Sequence, residues 1–267
     1  MAVAFALAQA HSLHQLTPLV TAFDVVALAL VGGLLLTMPV FAVLARNRTI
    51  DPDVARRSRT ILLGRWVRDW LMWVIAPVER AMIRTGVSPD ALNYLGVFFG
   101  FIAGVAFATG MLAAGGWSIL LGGVADVFDG RVARARGASS QFGAFADSTL
   151  DRFSESFTFL GLIVFFANWP MLELATAAAL GGSLLVSYTR ARGEAVGVSN
   201  TSGVMQRAER LVLLGLGAIL DPVITTRAGW NPGALLAVIV SLIAVGSWGT
   251  AVYRTAAIGS ELRKRDK

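Results

Sequence analysis

Seven windows of the sequence are long and apolar enough to cross about 30 Å of hydrocarbon, at residues 25–45, 91–110, 112–134, 142–167, 171–190, 209–226 and 233–253. With 55% hydrophobic and only 15% charged residues, the chain is too apolar for an ordinary soluble domain. The expected fold class is therefore an all-α integral membrane protein with about seven spanning helices.

Charge sets the orientation, because Lys and Arg concentrate in loops kept on the cytoplasmic side. Arg46, Arg48, Arg56, Arg57, Arg59, Arg65, Arg68, Arg80 and Arg84 follow the first window, which places that segment inside and the N-terminus outside. Counting on puts Arg131–Arg136, Arg190–Arg210 and the tail residues Arg254, Arg263, Lys264, Arg265 and Lys267 inside, with only Arg227 in an outer loop. The net charge of +6 then reflects attraction to anionic lipid headgroups, and nucleic acid is not an expected partner. The chain has no cysteine, which excludes disulfides, thiol catalysis and cysteine metal sites. The opening run MAVAFALAQA lacks the basic flank of a signal peptide and reads as part of an anchor. His11 and His14, far from any acidic motif, read as a chance pair.

Between the first two windows, Trp66, Trp70, Leu71, Trp73 and Val74 alternate with charges at near-helical spacing. This predicts an amphipathic helix lying at the membrane interface.

The informative stretch is ADVFDGRVARARGASSQFGAFADSTLDRF, where two apolar helices meet at a short loop. Asp126, Asp129, Gly130 and Ala133 share one helical face, with Arg134 beside it; Gly143, Asp147 and Asp151 share another. An antiparallel hairpin would bring both faces together near the cytoplasmic surface. A charged side chain at mid-bilayer costs about 2.5–3.5 kcal/mol, so four aspartates require partners. Ion pairs with Arg131, Arg134, Arg136 and Arg152 are one solution, but they leave the two glycines unexplained. Divalent cations account for more of the pattern: oxygen ligands on rigid helices suit Mg²⁺, Mn²⁺ or Ca²⁺, and four carboxylates can hold two ions. Gly130, Ala133 and Gly143 would let phosphates approach the helix backbone, or serve close helix packing instead.

The pattern Asp126-x2-Asp129-Gly130-x2-Ala133-Arg134-x8-Gly143-x3-Asp147-x3-Asp151 resembles the signature of the CDP-alcohol phosphotransferases at every specified position. Eight fixed residues at fixed spacing would coincide by chance on the order of once in a billion starts. The resemblance spans roughly residues 85–255. It implies a six-helix transmembrane catalytic core, a homodimer, and two divalent ions, Mg²⁺ or Mn²⁺, on Asp126, Asp129, Asp147 and Asp151. Asp151 would also be the general base, and Gly130, Ala133, Arg134 and Gly143 would cradle the cytidine nucleotide of CDP-diacylglycerol. The sequence Ser88-Pro89-Asp90-Ala91-Leu92-Asn93 departs from the family pattern at Asp90 and Asn93.

Arg190, Arg192, Arg207 and Arg210 lie in or beside one cytoplasmic loop, as a phosphorylated acceptor would require, although topology alone also explains them. The runs Ser187-Tyr188-Thr189-Arg190-Ala191-Arg192-x-Glu194 and Arg207-x-Glu209-Arg210 resemble the phosphatidylinositol-phosphate synthase branch, with inositol phosphate as acceptor. Alternatives are glycerol phosphate, a free alcohol, and, in another class, an ion-coupled transporter.

The expected organisation is an anchor helix and basic linker over 1–60, an interfacial helix over 61–86, the six-helix core over 87–255 and a basic cytoplasmic tail over 256–267. The expected location is the cell membrane, multi-pass, with the active site facing the cytoplasm.

Overall fold

The computed structural model describes residues 22–47, 49–56, 64–138 and 140–266. The opening run, His11, His14, Arg48, Arg57, Arg59, residues 61–63, Ser139 and Lys267 lie outside them.

The described residues form helices and no strand: α1 Ala22–Leu44, α2 Pro52–Arg56, α3 Arg65–Thr85, α4 Pro89–Ala108, α5 Leu112–Ala135, α6 Gln141–Phe165, α7 Pro170–Ala195, α8 Arg207–Ala228 and α9 Ala234–Arg265. Local chemistry sets several ends. Ser88 caps α4 by accepting from the Ala91 N–H at 3.2 Å, with Pro89 in the first turn, where its missing donor costs nothing. Ser140 caps α6 by accepting from the Gly143 N–H at 3.0 Å. Gly86 and Gly229 end α3 and α8 in the left-handed conformation that glycine adopts without strain.

Among the described residues, six helices, α1, α4, α5, α7, α8 and α9, are long and apolar enough to cross a membrane. Helix α6, expected as a further span, is 25 residues long but carries Asp147, Asp151, Arg152 and Glu155 along one stretch and falls outside that set. Helix α9 runs on to Arg265, so most of the expected tail is helical; its Ile258 packs on Gly193 at the end of α7.

The six helices α4–α9 close a ring in the order α5, α4, α6, α7, α9, α8 and back to α5. Helices α5 and α6 adjoin in sequence but touch little along their lengths, because α4 lies between them. Glycines make that close approach possible. A methyl group on Gly104 would strike the Phe157 carbonyl, one on Gly161 would strike the Gly104 carbonyl, and one on Gly100 would strike Ser154. Gly116 and Gly215 bring α5 and α8 together in the same way. One end of the bundle is filled by an apolar core that includes Phe107, Leu112, Ile119, Phe159 and Leu162. The opposite ends of α5 and α6 carry the acids.

Outside the ring, α1 packs on α8, α5 and α3. The aromatic face of α3 turns toward α1: the Trp70 indole donates to Thr37 Oγ1 at 2.9 Å, and Phe41 sits 5.6 Å from Trp66 and 5.7 Å from Trp73, ring centre to ring centre. The amphipathic helix thus anchors the accessory helix.

Candidate active site

Asp126 and Asp129 lie on the last turns of α5, and Asp147 and Asp151 on the first half of α6. Ligand oxygens of Asp126, Asp129 and Asp147 all lie within 4.8 Å of one another, close enough to share a cation. Arg207, the first residue of α8, bridges the cluster to the fourth aspartate: one nitrogen is 2.7 Å from Asp126 Oδ2, and the other 2.6 Å from Asp151 Oδ1.

The arginines of the signature stretch do not neutralise these acids. Arg131 is held by Glu79 at 2.7 Å, Asp51 at 3.1 Å and Asp53 at 3.3 Å, and Arg134 by Asp53 at 2.8 Å. Arg136 donates to the carbonyls of Met82, Ile83 and Val87, closing the end of α3. Arg152 comes only to 4.0 Å from Asp151. Among the described residues, no cationic side chain lies within ion-pair distance of Asp129 or Asp147, and the buried Asp129 Oδ2 has no hydrogen-bond partner. A clustered, oxygen-only donor set with an orphaned oxygen fits hard divalent cations.

The linker acids are firmly placed. Burial works against the Asp51 carboxylate, but hydrogen bonds from Arg131 and from the backbone of Asp53 and Val54 outweigh it, so its pKa lies below the ordinary aspartate value.

The signature glycines differ from the packing glycines. A methyl on Gly130 would meet only Arg134 of its own helix, at 3.1 Å, and one on Gly143 only Ser140, at 3.2 Å. No neighbouring helix approaches either, so close helix packing does not account for them. A small cleft opens beside the cage, with Leu92, Asn93, Gly122, Asp126, Asp151 and Arg207 among its walls. Asn93, one of the departures from the family pattern, therefore stands at the site.

The loop arginines divide. Arg190 is exposed and pairs with Glu194 at 2.9 Å; Arg192 is exposed. Arg210 is 1% exposed, locked to Glu155 at 2.7 Å and donating to the Met205 carbonyl at 3.2 Å. Such a guanidinium is committed to a protein carboxylate. Buried Arg254 donates to the carbonyls of Val186, Thr201 and Ser202 and lies close enough to Arg190 and Arg210 to feel their charge.

Several of these residues had escaped the sequence reading. Glu155 extends the face Gly143, Asp147, Asp151 by another four residues, a signal present in the sequence. Arg254, just past the expected window 233–253 and read as a tail residue, lies well inside α9. Asp51, Asp53 and Glu79 were hidden in a stretch read for its arginines.

The sequence profile of the CDP-alcohol phosphatidyltransferase family matches residues 86–245, which include all four aspartates. The phosphatidylinositol phosphate synthase of Streptomyces avermitilis is 33% identical over 236 residues, covering 84% of this chain and 92% of that protein. The Mycobacterium tuberculosis enzyme of the same name is 35% identical over 187 residues, 68% of this chain and 83% of that one. Its crystal structure with CDP-DAG bound superposes with a TM-score of 0.61 at 33% identity, over 68% of this chain and 92% of that one. A second crystal structure of that enzyme, in complex with manganese and citrate, gives the same TM-score over 87% of its length. With the signature complete and the fold shared, the chain belongs to the CDP-alcohol phosphatidyltransferase family and is a membrane-embedded transferase of phospholipid synthesis.

Proposed function

We propose that the protein transfers the phosphatidyl group of CDP-diacylglycerol to a hydroxyl of inositol phosphate and releases CMP, working at the cytoplasmic face of the cell membrane as a homodimer. The observation that carries this reading is the cage of four aspartates, only two of which are matched by a protein cation, on two helices whose Gly130 and Gly143 are met by no neighbouring helix. The names of the most similar relatives support the acceptor, and the arginine distribution supports the orientation.

Asp126, Asp129, Asp147 and Asp151 would hold two divalent ions, Mg²⁺ or Mn²⁺. When bound, these neutralise charge on the pyrophosphate and the departing CMP. Gly130, Ala133, Arg134 and Gly143 bind the nucleotide, the small residues admitting it to the backbone and the guanidinium meeting a phosphate. Asp151 takes the proton from the acceptor hydroxyl as its oxygen attacks the phosphatidyl phosphorus and the bond to the CMP oxygen breaks. Arg190 and Arg192 meet the acceptor's phosphate, while Arg207 is engaged by Asp126 and Asp151 and Arg210 by Glu155.

The test is CMP release by purified protein from CDP-diacylglycerol with Mg²⁺ or Mn²⁺, offering inositol phosphate, glycerol phosphate, inositol and serine separately. Release is expected with inositol phosphate and lost in Asp151→Asn. Release with glycerol phosphate alone would reassign the acceptor, and no release with any acceptor from folded protein would sink the reading.

A further inference from the structure

We propose that Asp53, in the linker before the family domain, is a positioning residue that holds Arg134 for the nucleotide. The inference rests on the nucleotide-binding role given to Arg134 above. One nitrogen of Arg134 lies 2.8 Å from Asp53 Oδ2, while another lies 3.1 Å from where a methyl on Gly130 would stand. The guanidinium thus lies between the linker acid and Gly130.

The acid that holds it is itself fixed. The Asp53 N–H donates to Asp51 Oδ1 at 2.9 Å, and the Asp51 N–H donates to Asp69 Oδ1 of α3 at 2.9 Å. Arg131 ties Asp51 and Asp53 to Glu79 of α3. A chain of contacts therefore runs from the interfacial helix through the linker to a signature arginine.

Stability does not explain the last link. The Arg134 and Asp53 side chains are 49% and 28% exposed, and exposed pairs contribute little to folding. What the contact does is restrict a long side chain that would otherwise sample many rotamers, so that less freedom is lost when a phosphate arrives.

The experiment uses the full-length protein with Asp53→Ala, Asp53→Glu, Arg134→Ala and the double variant Asp53→Ala/Arg134→Ala. Readouts are CMP binding by calorimetry with Mg²⁺, KM for CDP-diacylglycerol, kcat and Tm. Asp53→Ala should weaken CMP binding and raise KM by about 3- to 10-fold, the range expected for one immobilised side chain, with Tm and kcat nearly unchanged. Asp53→Glu should recover most of the loss, and Asp53→Ala should add nothing once Arg134 is gone. Unchanged or tighter CMP binding in Asp53→Ala would overturn the proposal. So would an equal loss in the Arg134→Ala background, or a fall in Tm that accounts for the loss. If the wild type itself fails to bind CMP with Mg²⁺, the underlying functional reading fails; if it binds and Asp53 is indifferent, only the positioning role does.

Discussion

Two charged clusters sit within two turns of each other on α5, and they are balanced differently. The outer one joins Arg131 and Arg134 to Asp51, Asp53 and Glu79, and each of its five groups has an ionic partner within the chain. The inner one gathers four aspartates around one guanidinium, leaving Asp129 and Asp147 with no cation and one oxygen of Asp129 with no hydrogen bond. Arginines able to fill that deficit stand one turn away and are engaged elsewhere. A cluster completed internally needs no further charge, whereas one left short of positive charge needs something from outside, and that shortage is the ground for proposing the inner cluster as the reaction centre.

The contrast can be broken most severely at Asp129. Asp129→Asn should lower CMP release by about 10²–10³-fold, a loss typical of removing one preorganised electrostatic contact in a transition state. Its Tm in EDTA should stay level or rise, because like charges are separated. A large drop in that Tm would mean the cage is structural. Metal itself supplies the next test. Adding Mg²⁺ or Mn²⁺ at about 100 times its dissociation constant should stabilise the wild type by about 2.7 kcal/mol, with EDTA reversing both this and activity. Asp51→Asn should show the opposite signature to Asp129→Asn. It is expected to cost about 1.5–3 kcal/mol, the range for hydrogen bonds to charged groups, whether or not metal is present.

The glycines sharpen the same division. Gly161→Val, driven into the backbone of α4, should destabilise the protein by about 1–3 kcal/mol in detergent unfolding. Gly130→Ala should leave Tm nearly unchanged while weakening CMP binding, and equal effects at the two positions would erase the distinction. The smallest effect is in pH. The Asp51 pKa is lowered in the folded state, so its contribution is fully present above the ordinary aspartate value near 4 and is lost as pH falls through the folded value. In EDTA, Asp51→Asn should flatten the acid limb of the stability profile, and an unchanged limb would remove Asp51 from it.

Much of this was legible in the sequence, for a physical reason. Spanning helices announce themselves locally, and Asp126, Asp129, Asp147 and Asp151 lie on two faces set by helical period alone. Helix α6 was found by its acid face as much as by its apolar one. Contacts across long separations left no such trace: Arg131 meets Asp51 across 80 residues, and Arg210 meets Glu155 across 55. Sequence proximity placed Arg210 beside Arg190 and Arg207, but burial locks it against α6. The expectation of a plain α5–α6 hairpin also missed the intervening α4, because glycine spacing shows that helices come close without showing which ones do.

That intervening helix works as a spacer gauge. Two halves of the acidic motif are held apart by a third element whose approach to α6 is set by missing side chains at Gly100 and Gly104. Gly100 lies against Ser154, three residues from Asp151, and Gly96 accepts the Ser154 hydroxyl at 3.2 Å. The tolerance of the proposed reaction centre is therefore machined in a helix seam that contains no reactive group. A single added methyl there would register as a defect in chemistry.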